Sequence, residues 1–146
     1  MNGKKTLLLF LLLSMTAVLP ASATAEGYPS SVTETAKLYE GTAYTWGGED
    51  PVIGFDCSGF IYYVFSSCGY TVSRTASGQN TDGLGIGLSQ IQPGDVVVFG
   101  SGSSATHTAL YLGDGIIIHA LNEANGVICS SLSEYPESVI GVRRIA

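Results

Sequence analysis

The stretch between Cys57 and Cys68 constrains this chain more than any other. Its apolar residues Cys57, Phe60, Ile61, Val64, Phe65 and Cys68 recur at intervals of three and four. That spacing draws one stripe along a helix, and the stripe must be buried against another apolar surface. Asp56 stands at the N-cap position, where a carboxylate accepts bonds from the free amides of the first turn, and Gly69 ends the helix. After residue 90 the period changes. Pro93-Gly94-Asp95 is a turn signal and Val96-Val97-Val98-Phe99 reads as a buried strand. Further strands are expected over 106–112, 116–121, 126–130 and 139–145. Ser31 and Glu34 have capping-box spacing and open an earlier helix, which Gly41 stops. Residues 42–55 read as an extended loop, and 75–80 as a short helical turn. Helices first and sheet second give an α+β fold: N-terminal helices packed on a small antiparallel sheet of about five or six strands.

The central hairpin carries the chain's two histidines, His107 and His119. A two-residue turn at Asp114-Gly115 would set Leu110 against His119 and send the imidazoles to opposite faces. A three-residue loop, Gly113-Asp114-Gly115, would set Leu112 against Ile116, Leu110 against Ile118 and Thr108 against Ala120. One face then becomes almost wholly apolar. A one-residue slip swaps faces, so the hydrophobic pattern selects the second register. His107 and His119 become diagonal neighbours on one face, roughly 7–8 Å apart.

The N-terminus is read separately. Lys4 and Lys5 precede an apolar run over residues 7–13, which fades toward Leu19 and stops at Pro20. Ala21, Ser22, Ala23, Thr24 and Ala25 follow. This is the pattern of a secretory signal peptide over 1–25, with cleavage expected after Ala25 or Ala23. The run is short of the roughly 20 residues a membrane span needs, which sets an uncleaved anchor as the alternative. No cysteine follows the run to take a lipid. Residues 26–146 then form a single domain, and no membrane association is expected after cleavage. Losing both lysines moves the net charge from −6 to about −8, which disfavours nucleic acid as a partner and gives no electrostatic attraction to anionic polymers.

An exported chain with three cysteines keeps at least one thiol out of an internal disulfide. Cys57 and Cys68, at opposite ends of one helix, are roughly 16 Å apart, beyond the about 7 Å a bridge spans. Cys68 with Cys129 remains possible, which leaves Cys57 as the natural free thiol. At a helix N-terminus, unpaired amides and the helix dipole lower a thiol's pKa and can hold an oxyanion. Asp56 opposes thiolate formation if its charge faces the sulfur. The plainer alternative is a buried cysteine that begins an apolar stripe. A cysteine, a histidine and a third polar group that orients the imidazole make a complete acyl-transfer set. Trp46, in Tyr44-Thr45-Trp46-Gly47-Gly48, either walls a cleft or plugs the core. Arg74 is open to three readings: a pair with Asp56, a pair with an acidic substrate, or plain solvation. A zinc site from Cys57, His107 and His119 lacks any closely spaced ligand pair, so no metal or cofactor is expected.

Six segments taken in order resemble the NlpC-type cell-wall endopeptidases, a papain-like cysteine peptidase family. They are Tyr44-Thr45-Trp46-Gly47-Gly48; Gly54-Phe55-Asp56-Cys57-Ser58-Gly59-Phe60; Arg74 with Gln79; Pro93-Gly94-Asp95-Val96-Val97-Val98-Phe99; residues 107–113; and Ile118-His119-Ala120. The resemblance spans about residues 32–142. It implies hydrolysis of peptidoglycan stem peptides or soluble muropeptides, typically after γ-D-glutamyl and before a diamino acid. It implies Cys57 as nucleophile, His107 as general base and His119 as the orienting residue, with Tyr44, Asp56 and Ser58 lining the substrate site and no metal or cofactor. Two positions depart from the family pattern: Ala43 where proline often precedes the tyrosine, and Ala109 where glycine often follows the histidine. An amidase of the same fold, a non-catalytic wall-binding protein, and dependence on a targeting partner remain open.

Overall fold

The computed structural model describes residues 31–146. The signal-peptide reading of 1–25 lies outside the described residues. Helix α1 (Val32–Leu38) starts at Ser31, whose hydroxyl accepts from the Glu34 amide. Helix α2 (Cys57–Ser67) starts at Asp56, whose carboxylate accepts from the Gly59 amide at 2.6 Å. Helix α3 (Ala76–Gln79) is capped by Thr75. The strands are β1 (Glu49–Asp50), β2 (Gly54–Phe55), β3 (Leu84–Gly85), β4 (Val96–Ser101), β5 (Ser104–Gly113), β6 (Ile116–Ala120), β7 (Val127–Ser131) and β8 (Ser138–Arg144). Strands β1 and β2 form a small antiparallel ribbon inside the stretch expected to be loop. The main sheet is antiparallel, with six strands in the order β3-β8-β4-β5-β6-β7. The two-residue strands were not foreseen, because two residues carry no readable alternation.

The sheet is covered on both faces. Val96, Val98, Leu110, Ile118 and Ala120 pack with Phe60, Ile61, Val64 and Phe65 of α2 and with Val32 and Ala36 of α1. This is the surface that the apolar stripe requires. On the other face Val97, Phe99, Ala109 and Ile117 are covered by Leu132, Tyr135 and Val139 from the segment before and into β8. Val96, Val97, Val98 and Phe99 are therefore all buried, which is why β4 reads as an unbroken apolar run. Each such side chain stabilises the fold by about 1.5–3 kcal/mol.

The hairpin of β5 and β6 corrects one expectation. Its loop is the two-residue one: Asp114 has φ 53° and Gly115 φ 75°, the positive pair of a type I′ turn. Gly113 faces Ile116, so Leu112 does not. A bulge between Tyr111 and Gly113 then shifts the register by one, and Tyr111 faces Ile117 and Leu110 faces Ile118. The turn chemistry and the hydrophobic pattern are thus both satisfied, and the bulge absorbs the residue by which they differ. Cys68 and Cys129 are unpaired; the Cys68 sulfur lies 3.2 Å from the Thr35 hydroxyl.

Candidate active site

Cys57 is the first residue of α2 and lines a cleft of about 500 Å³. Its lining comes from the segments around Tyr44, Asp56 and Arg74 and from those around His107 and Tyr135. The helix reaches this place through close backbone packing. A Cβ on Gly59 would fall 1.9 Å from the Gly48 carbonyl oxygen, so only glycine lets the first turn of α2 lie on the 44–48 loop. The Asp56 amide donates to that same carbonyl at 3.0 Å. Trp46 is 85% exposed: it walls the cleft rather than filling the core.

Asp56 is fully engaged by its own protein. Its Oδ1 accepts from the Gly59 amide and from Arg74 Nη1 at 3.0 Å; its Oδ2 accepts from the Gly47 amide and from Arg74 Nη2, each at 3.0 Å. Arg74 also donates to Ser58 Oγ at 3.0 Å, to the Gly48 carbonyl at 3.2 Å and to Glu49 at 2.6 Å. The arginine thus ties the loop, the cap and the ribbon into one wall. This forked pairing fixes geometry as well as charge. Of the three residues expected to line the substrate site, Tyr44 borders the cleft from the 44–48 loop. Asp56 and Ser58 also line it, with the Asp56 oxygens and the Ser58 hydroxyl already held in this network.

The two histidines come from the sheet. Two bulges on β4, one between Phe99 and Gly100 against β5 and one between Val98 and Phe99 against β8, bend the strands where Phe99 faces His107. His107 Nε2 lies 2.7 Å from His119 Nδ1, and His119 Nε2 lies 2.8 Å from Ser130 Oγ on β7. The ring of Tyr135 stacks on His107 with centroids 5.1 Å apart and planes 20° apart, and meets His119 edge-on at 5.6 Å. Burial, and then the neighbouring His119, lower the His107 pKa to about 3; burial lowers that of His119 to about 4. Both imidazoles are neutral at pH 7, as a proton acceptor must be.

The thiol differs from expectation. Burial raises its pKa above the ordinary value and the Asp56 charge adds to this; the Thr108 backbone and hydroxyl and the Ser58 backbone act in the opposite sense. Desolvation outweighs the helix terminus, so the resting cysteine is a neutral thiol next to neutral imidazoles rather than a preformed thiolate. The Thr108 hydroxyl is buried and makes no hydrogen bond of full geometry, yet it is close enough to the sulfur to favour the anion. Such a donor gains its partner only once the proton has left.

Sequence reading did not single out Tyr135, Glu137, Ser130 or the Thr108 hydroxyl. Tyr135 and Glu137 lie in an irregular segment without periodicity, where the Glu137 carboxylate accepts from the Thr106 hydroxyl across the rim of the cleft. Ser130 had a faint signal: it is a polar residue on a strand paired with the one carrying His119. Among the described residues no cluster of three or more histidine, cysteine or acidic side chains could hold a metal. None of their helices is long and apolar enough to cross a membrane.

Residues 41–144 match the NlpC/P60 family. A "Probable endopeptidase p60" of Listeria seeligeri is 38% identical over 112 residues, covering 75% of this chain and 21% of the relative. A "Gamma-DL-glutamyl hydrolase" of Bacillus subtilis (strain 168) is 35% identical over an alignment of 155 residues, covering 99% of this chain and 37% of the relative. The chain therefore spans well under half of the length of either. Among solved structures, the NlpC/p60 domain of the peptidoglycan hydrolase SagA superposes with a TM-score of 0.71 at 34% identity, over 79% of this chain and 97% of that one.

Proposed function

Because this chain belongs to the NlpC/P60 family, we propose that it is a secreted cysteine endopeptidase acting on bacterial peptidoglycan. Its substrate is the stem peptide, free or in muropeptides, and the bond cut is the one between γ-D-glutamyl and the diamino acid. The observation that carries this reading is a cysteine at a helix N-terminus sharing one cleft with a neutral histidine, which is itself bonded to a second histidine. The names of the relatives, an endopeptidase, a γ-glutamyl hydrolase and a peptidoglycan hydrolase, support the substrate class.

In this mechanism His107 takes the Cys57 proton as the sulfur attacks the substrate carbonyl, so charge separates only as the new bond forms. The amides at the start of α2 are the available donors to the oxyanion. His107 then gives its proton to the leaving amine, the thioester is hydrolysed by water activated at the same imidazole, and Cys57 is restored. His119 orients His107, and Tyr135 shields the pair from water. Tyr44 and Trp46 present aromatic surface to the substrate, while Asp56 and Ser58 hold the cleft wall through Arg74. Export follows from the charged and apolar start of the sequence, with cleavage after Ala25 or Ala23.

The test is mass spectrometry of purified peptidoglycan and defined stem peptides digested with the protein and with Cys57→Ala. Fragments cut within the stem, absent with the variant, are expected. Glycan strands freed of whole stems would identify an amidase instead. No product from either protein on several walls would refute the enzymatic reading. The N-terminal residue of protein recovered from culture medium checks the cleavage point.

A further inference from the structure

The proton relay behind Cys57 does not stop at His119. His107 Nε2, His119 Nδ1, His119 Nε2 and Ser130 Oγ form one chain, with links of 2.7 and 2.8 Å. A neutral imidazole carries one N–H and one lone pair, so the chain runs in one of two directions. In one, both rings are protonated at Nε2: His107 donates to His119, His119 donates to the serine oxygen, and His107 Nδ1 keeps its lone pair. In the other, Ser130 donates to His119, His119 donates from Nδ1 to His107, and His107 is protonated at Nδ1. Only the first leaves His107 an acceptor for the Cys57 proton, and it remains valid after that transfer, because the imidazolium still donates from Nε2.

We infer that Ser130 is a positioning residue for catalysis: as the terminal acceptor of this chain it holds His119, and through it His107, in the tautomer that can act as a base. The inference rests on the assignment of His107 as base under Proposed function. The physical reason lies in what happens without the hydroxyl. His119 is wholly buried. If Nε2 kept its proton there, it would be a buried donor without an acceptor, the less tolerated defect; a bare ring lone pair costs less. The proton would move to Nδ1 and His107 would be forced to carry its own on the side of the cleft. Ser130 itself is half-buried and borders an open hollow, lined also by His119, Cys129, Glu134 and Tyr135, which gives its own hydroxyl proton an outlet.

Nitrogen-15 NMR of the two histidines tests this without any substrate, so its outcome is separable from the choice of bond or substrate. The unaltered protein should show both rings protonated at Nε2; protonation of His107 at Nδ1 overturns the inference even if no variant folds. In Ser130→Ala the proton of His107 should move to Nδ1. With a stem-peptide substrate kcat should then fall about a hundredfold with KM within about threefold, less than the roughly 10⁴-fold loss in a triad whose orienting group is charged. Ser130→Thr, which keeps the hydroxyl, should restore the Nε2 tautomer and kcat to within about threefold of the original. An Ala variant that folds with unchanged tautomers, or with unchanged kcat, refutes the role.

Discussion

Acidifying the protein from pH 7.5 to 5.0 should cost stability through its histidines, by an amount the structure sets. His107 and His119 are buried, with pKa values lowered to about 3 and about 4. In the unfolded chain both return to the ordinary 6.5 or so, and between the two limits the unfolded state binds more protons than the folded one. Stability that is fully present above pH 6.5 is therefore lost as pH falls toward the folded values. At pH 5.0 each unfolded imidazole is almost fully protonated while each folded one remains mostly neutral. The cost is then set by the unfolded pKa, about 2 kcal/mol per histidine and roughly 4 kcal/mol for the pair. Against the 5–15 kcal/mol typical of a domain, this is a large fraction. Urea unfolding followed by far-ultraviolet circular dichroism at both pH values measures it. The carboxylates also titrate in this range, so the comparison needs a His107→Asn/His119→Asn variant. These are the chain's two histidines, so subtracting the variant's pH difference removes the carboxylate background and isolates the imidazole contribution. The original protein should lose about 4 kcal/mol more than the double variant, and either single variant should lie midway. A double variant that loses as much as the original, within about 0.5 kcal/mol, would refute the claim that these rings are held neutral by burial.

The same desolvation places the acid limb of kcat/KM well below pH 6.5, with activity retained at pH 5.5 wherever the fold is intact; a limb between pH 6 and 7 would contradict it. Gly59→Ala should destabilise by about 2–4 kcal/mol in a thermal or urea melt, although alanine favours a helix by about 1 kcal/mol, because its Cβ meets the Gly48 carbonyl at 1.9 Å. Thr108→Val replaces a buried hydroxyl that lacks a full hydrogen bond with a methyl of the same size, and should raise stability by about 1 kcal/mol. The same change should shift the pH dependence of Cys57 alkylation upward, because the anion loses a donor. Arg74→Gln leaves the Asp56 carboxylate, 14% exposed, without its charged partner, and should cost about 2–3 kcal/mol; a loss under 0.5 kcal/mol would show that the wall stands without the arginine.

Local rules acting over a few residues determined much of this protein from sequence alone. The stripe from Cys57 to Cys68, the caps at Ser31 and Asp56 and the short turn over 75–80 are properties of one helical turn or of one helix face, and they recur in the structure within a residue or two. The hydrophobic alternation of β5 and β6 was strong enough to select the Leu110–Ile118 pairing, even though the turn that closes the hairpin is not the one this pairing alone would suggest. The resemblance pointed to Cys57, His107 and His119, which the fold brings to one region: Cys57 and His107 share the cleft, and His119 bonds His107 from behind. Tertiary structure decided everything that depends on desolvation or on contacts between distant segments. The helix terminus by itself would lower the Cys57 pKa; burial raises it. The sequence leaves Arg74 to pair with Asp56 or with an acidic substrate; the fold joins it to both Asp56 oxygens, eighteen residues away. Tyr135 reaches the histidines from an irregular segment, and Ser130 completes their chain from a neighbouring strand. No local pattern encodes those meetings, because each requires the sheet to be assembled before the partners come within bonding distance.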